Sequence, residues 1–178
     1  LNRLQLERKH VFAIRGGSAG LTPHQKDILK VWIAAGLWLV VIAIESTSYL
    51  SAESTSRFLY PILHFLLGLT LKQFAVWHHY IRKTGHFVGY FILSVLLFRA
   101  WKTTLSLPAI WALRWSGIAF FMSAMVASLD EWHQTYIPSR TGAISDVMLD
   151  SSAALTAQIV IFLLLRAKRA RMAAGGAS

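Results

Sequence analysis

The chain has 178 residues, enough for one domain, and is 55% hydrophobic with only 15% charged residues. A soluble domain carries about 25% charged residues, so this composition, with a mean hydropathy of +0.49, argues for a membrane protein. The net charge of +10 does not argue for nucleic acid, because the basic residues cluster beside apolar segments as positive-inside residues do, and the absence of cysteine excludes disulfides, thiolate nucleophiles and Cys-ligated metals.

Residues 1–27 are polar and basic, with the Gly/Ser-rich stretch "RGGSAG" at 15–20. They read as a cytoplasmic tail, with one short interfacial helix near "LQLERKHVF" and no cleavable signal peptide. "TPHQKDILKVW" then starts a helix, with Thr22 as N-cap and Pro23 at its first position. Uncharged apolar runs follow at 31–44, 85–98, 115–129 and 151–165. Each is shorter than the ~20 residues a spanning helix needs, so each must extend through polar residues. The spans predicted are 28–47, 83–102, 110–131 and 145–166, and 167–178 is a second basic tail. Trp32, Trp38, Trp101, Trp111, Trp115 and Trp132 fall near the ends of these spans, where an aromatic belt would lie. Residues 58–71 hold Pro61, His64 and Gly68, and their length suits a short re-entrant or interfacial helix better than a span. The fold expected is all-α: a polytopic membrane protein, a bundle of four transmembrane helices plus that short helix.

Lysine and arginine set the orientation. With four spans, thirteen of the eighteen lie on the side of the two tails and the 103–110 loop, which places both termini in the cytoplasm. The polar residues inside the 28–166 domain then converge. Glu45, Lys83, His86, Asp130, Glu131, His133, Gln134, Arg140 and Asp146 come from separate stretches, yet all fall at the outer membrane face. Lys83, His86 and Tyr90, at i, i+3 and i+7, form one stripe. Asp130, His133 and Gln134 share a face, Glu131 reaches Gln134 at i+3, and Asp146 and Asp150 are one turn apart. Ionisable groups at membrane depth cost roughly 2.5–3.5 kcal/mol each and are tolerated when they face a bundle interior and pair. Asp130, Glu131 and Asp146 can neutralise Lys83, Arg140 and a protonated His86, so one reading is an ion-pair clamp on helix ends. The set exceeds what such a clamp needs. His86, His133, Asp130, Glu131 and Asp146 offer N/O donors, but no known ligand spacing is present and two nearby cations compete, so no metal and no other cofactor are expected.

"RKTGHFVGYFIL" (82–93) and "LDEWHQTYIPSRTGAISDVMLDSSAAL" (129–155) together resemble the VanZ-like membrane protein family. Its pattern is a basic residue three before a histidine, then D-E-x-x-Q, then Pro-x-Arg, then Asp-Val opening the last helix. The resemblance covers about 28–166 and makes Lys83, His86, Asp130, Glu131, Gln134, Arg140 and Asp146 the family's polar motif. Ser139, Asp150 and Ala153 stand where glycine, asparagine and glycine are usual. The family's namesake is linked to low-level resistance to teicoplanin, so the resemblance implies a cell-envelope role.

Two functions are consistent with these residues. One is an enzyme acting on an amphipathic, lipid-linked or peptidoglycan-related substrate, with His86, Asp130, Glu131, His133 and Asp146 in acid–base roles and Lys83, Tyr90, Gln134 and Arg140 binding the substrate. The other is a protein that binds or shields an envelope lipid, precursor or antibiotic without turnover. A transporter ranks below both, because four spans are few and no broken-helix repeat is visible. P-loop, Rossmann and G-x-S-x-G signatures are absent from the sequence, which argues against ATP, NAD and α/β-hydrolase chemistry.

Overall fold

A computed structural model describes residues 20–47, 52–105, 112–138 and 142–175. The described residues form five helices and no strand: α1 (Pro23–Glu45), α2 (Ala52–Leu67), α3 (Leu71–Leu105), α4 (Leu113–Gln134) and α5 (Ile144–Gly175).

Local chemistry fixes the ends. The Thr22 hydroxyl accepts from the Gln25 N–H at 3.2 Å, and the Gln25 side chain accepts from the Thr22 N–H at 2.9 Å, a reciprocal capping box ahead of Pro23. Thr70 and Gln73 repeat the device at the start of α3. Between these helices the chain turns at Gly68, whose φ of +66° suits a residue without Cβ and whose N–H donates to the His64 carbonyl at 2.8 Å. This turn corrects the predicted boundaries. The segment 58–71 contributes to a 16-residue helix that starts at Ala52, and α3 begins at Leu71 rather than at 83. At the other end of the chain, α5 runs through the basic segment to Gly175.

Three helices, α1, α3 and α5, are long and apolar enough to cross a membrane. With 22 residues, α4 has the length for it, but Arg114, three serines and the Asp130–Glu131 pair dilute its apolar character. At 16 residues, α2 is shorter than a span requires.

Helix α3 is the hub. It packs against α1, α2, α4 and α5, and α4 also packs against α5. Cross-links fix the directions. Trp32 donates to the Thr104 hydroxyl and Trp38 to the Gly89 carbonyl, so α1 and α3 are antiparallel. Ser94 donates to the Ala154 carbonyl, and Lys83 pairs with Asp146, so α3 and α5 run parallel. The helices meet through small residues, Ala119, Ser123 and Ala127 on α4 and Ala153, Ala154 and Ala157 on α5, all buried. Small side chains let backbones approach closely where lipid offers no hydrophobic drive for association. Large apolar side chains such as Leu37, Phe121, Phe65 and Leu164 face outward. The tryptophans also part from the belt reading: Trp115 is buried and Trp32, Trp38 and Trp101 are half-buried between helices. An indole N–H inside a bundle needs an acceptor, and for Trp32, Trp38 and Trp101 a neighbouring helix supplies one. Trp132 is exposed, and Trp111 lies outside the described residues.

Candidate functional site

The C-terminal ends of α1 and α4, the start of α5 and a stretch of α3 meet at one end of the bundle. The Lys83–His86–Tyr90 stripe faces inward there, and each member finds a partner on another helix. Lys83 pairs with Asp146, which also accepts from the Ser145 hydroxyl at 3.2 Å. The Nδ1 of His86 lies 3.5 Å from Asp150 Oδ2. The Tyr90 hydroxyl donates to Asp130 Oδ2 at 3.3 Å, and Gln134 Nε2 donates to the same oxygen at 3.2 Å. Three helices thereby hold one polar cluster.

Glu131 does not reach Gln134 as spacing on α4 suggested. It turns inward and its Oε2 accepts from the Ala143 backbone N–H at 2.8 Å. The turn before α5 supplies that N–H because it lies directly on the end of α4. A Cβ on Gly142 would fall 2.3 Å from the Glu131 carbonyl oxygen and 2.6 Å from Thr135 Cγ2. Only glycine fits there, and the fit fixes the Glu131 carboxylate.

Asp150, which the sequence marked only as a neighbour of Asp146, is the most deeply buried member at 0% exposure, and Glu131 is 4% exposed. Neither Asp150 oxygen has a hydrogen bond, and Glu131 Oε1 has none. Buried carboxylates without full pairing carry a large desolvation cost, and ionisable groups retained at such a cost inside a membrane bundle mark functional sites. The signal for Asp150 in the sequence is weak: a carboxylate where the family pattern usually has asparagine.

Two clefts adjoin the cluster. One of 210 Å³ is lined by Glu45, Thr55, Arg82, Gly85 and His86. The other, of 380 Å³, runs between α1 and α4 past Leu39, Ile42, Ala43, Val126 and Leu129 to Ser46, Asp130 and His133. Arg82 was missed as a site residue because it sits one position before the stripe that spacing selects. His133 is exposed and lies apart from the buried cluster, with Nδ1 3.5 Å from the Ser46 hydroxyl. Arg140 lies outside the described residues. His78, half of the "HH" pair at 78–79, is buried against α2, with Nε2 2.9 Å from the Thr55 hydroxyl.

The arrangement has two chemical capacities. Carboxylates and a histidine in contact can exchange protons with a bound substrate. The donor atoms of His86, Glu131 and Asp150 also lie within 4.8 Å of one another, a ligand set assembled in space from three helices and invisible as a linear spacing.

Neither a curated protein nor a solved structure matches the chain. A family model does: the one described as VanZ/LLP1 matches residues 31–166, a stretch that contains every helix-borne member of the cluster. The chain is a helical membrane protein belonging to the VanZ/LLP1 family.

Proposed function

We propose that this protein acts in the cell envelope as an intramembrane enzyme on an amphipathic substrate, one whose polar group is lipid-linked or derived from a peptidoglycan precursor. One observation carries the reading. Asp130 is hydrogen-bonded into the buried cluster and also lines the apolar groove between α1 and α4. An acyl chain in that groove would bring its polar end to the acids. Glu131 and Asp130 would exchange protons with the substrate, with His86 as partner. Arg82 and Lys83 would face an anionic group, and Arg140 would join them from the preceding loop. The reading includes α4 as a fourth span, α2 lying in the interface, both termini in the cytoplasm and the cluster at the outer face. The excess of lysine and arginine on the side of the tails supports that orientation. The family name associates it with teicoplanin resistance.

A second reading is favoured by a different observation: Lys83, Asp146, Asp130 and Gln134 already have partners, as in a pocket that holds a ligand without turning it over. One experiment separates the two. Membrane lipids and lipid-linked precursors are profiled by mass spectrometry in cells carrying the wild-type chain, Glu131→Gln or no chain. A species gained or lost with the wild type and restored to the empty-cell level by Glu131→Gln supports an enzyme. Unchanged chemistry with altered teicoplanin binding overturns the enzyme and supports the binder. Orientation has its own test: in this cysteine-free chain, a cysteine at Thr141 should label from outside the cell.

A further inference from the structure

We propose that His86, Glu131 and Asp150 bind one divalent transition-metal ion, with zinc the best match. The proposal deepens the reading of this cluster as the functional site and rests on it, but metal uptake is measured without turnover, so the two can fail separately.

The geometry comes first. One nitrogen and two carboxylate oxygens, from α3, α4 and α5, lie within 4.8 Å of one another. Donors on a single zinc ion, at ~2.0–2.2 Å from the metal, sit roughly 3–3.5 Å apart. Closure by at most about 1.3–1.8 Å therefore converts the found arrangement into a ligand set. The donor atoms are also unspent. Both Asp150 oxygens and Glu131 Oε1 are buried without a hydrogen bond, whereas Glu131 Oε2 is held by the Ala143 N–H. That is the pattern of a ligand oriented by a backbone contact behind it.

Charge agrees. A His86–Asp150 ion pair would neutralise one carboxylate at most, and its 3.5 Å separation exceeds the ~2.7–2.9 Å of a charge-assisted hydrogen bond. Glu131 would remain without an ion pair, and Lys83 is committed to Asp146. A divalent ion with neutral imidazole balances both acids at once. Donor type narrows the metal. Imidazole with two carboxylates suits zinc or manganese, whereas magnesium and calcium favour all-oxygen sites. Three protein ligands leave a coordination position open. The 210 Å³ cleft that ends on His86, whose side chain is 20% exposed, gives ion and ligand a path. The ligand class for the open position is an oxyanion such as a phosphate or carboxylate, with Arg82 lining the approach.

The test uses the full chain, purified in detergent with a tag free of histidine, stripped with EDTA and dialysed against zinc chloride. Elemental analysis should find about one zinc per chain, bound at least tenfold more weakly in His86→Gln, Glu131→Gln and Asp150→Asn, and unchanged in the exposed-site control His79→Gln. Wild-type chain that takes up no stoichiometric zinc or manganese overturns the proposal, as do variants that keep wild-type affinity. Because a cluster variant can fail to fold, cobalt is loaded into the wild type as well. Visible bands of a site with mixed nitrogen and oxygen ligands support the assignment, and the spectrum of hydrated cobalt overturns it. If no metal binds while Glu131→Gln still abolishes the envelope change, the metal is wrong and the enzyme reading stands. If metal binds and no envelope chemistry changes, the metal assignment stands and the enzyme reading falls.

Discussion

Two buried polar contacts sit on the same α3–α5 interface, eight residues apart on both helices, and they are built differently. At the inner one, the Ser94 hydroxyl donates to the Ala154 carbonyl at 3.0 Å, and Gln158 Nε2 donates to the Ser94 hydroxyl and carbonyl at 2.7 and 3.1 Å. Its groups are neutral, and only the Gln158 amide oxygen lacks a partner. At the outer one, His86 faces Asp150 at 3.5 Å, with three carboxylate oxygens of Asp150 and Glu131 unbonded. The first contact is helix–helix glue of the kind membrane bundles use. The second places ionisable groups where a neutral pair would serve packing better. The two contacts separate where this bundle buries neutral groups from where it bears the cost of buried carboxylates.

Removing one side of each contact should separate the two most strongly. His86→Ala, in EDTA, should cost about 3–5 kcal/mol, because the buried Asp150 carboxylate loses the histidine that pairs with it. Adding Asp150→Asn should recover most of that loss. Thermal unfolding in detergent reads both, and a His86→Ala cost no larger than that of Ser94→Ala would make the two contacts equivalent. Next in size is Gly142→Ala. A Cβ 2.3 Å from the Glu131 carbonyl forces the turn away from α4 at a cost of about 1–3 kcal/mol. The displaced Ala143 N–H should lower the envelope effect beyond what the melting shift explains. Ser94→Ala should cost about 1 kcal/mol, one hydrogen bond's worth, and leave function at the wild-type level. A folded Ser94→Ala protein without function would move the site toward the middle of the bundle. The smallest effect is Thr22→Ala, about 0.5 kcal/mol from the lost cap. Its cap lies far from both contacts, so it should add to Ser94→Ala within about 0.5 kcal/mol.

The sequence showed the helices better than their ends. Apolar runs with the Thr22–Pro23 start were enough to place α1, because a capping box is a local device written in four residues. The start of α3 was hidden, because 71–82 carries polar and aromatic residues that look like loop once a span is sought. Its helical state follows from the Thr70 cap and from packing on α2, which a window of hydropathy does not register. The inward stripe of Lys83, His86 and Tyr90 was legible from helical spacing. Asp150 was not, since spacing ties it to Asp146 and says nothing about depth. An indole near the end of an apolar run gives the same pattern whether it faces lipid or a neighbouring helix, so Trp32, Trp38, Trp101 and Trp115 misled in the same way.

The length of α3 sets a depth gauge. Its 35 residues extend ~52 Å at 1.5 Å per residue, against a hydrocarbon layer of ~30 Å. About 20 residues cross that layer, and counted back from Leu105 they end at His86. Helix α1 agrees, since its last residue, Glu45, shares a cleft with Arg82 and His86. On that count the residues of α3 before Arg82 would stand clear of the oily layer, as a post against which α2 packs. On the proposed topology the acids would meet their ligand at the waterline, where a lipid's tail ends and its headgroup begins. A substrate would be selected by where along its length the reactive bond lies, and a bond a few methylenes deeper would pass below the site.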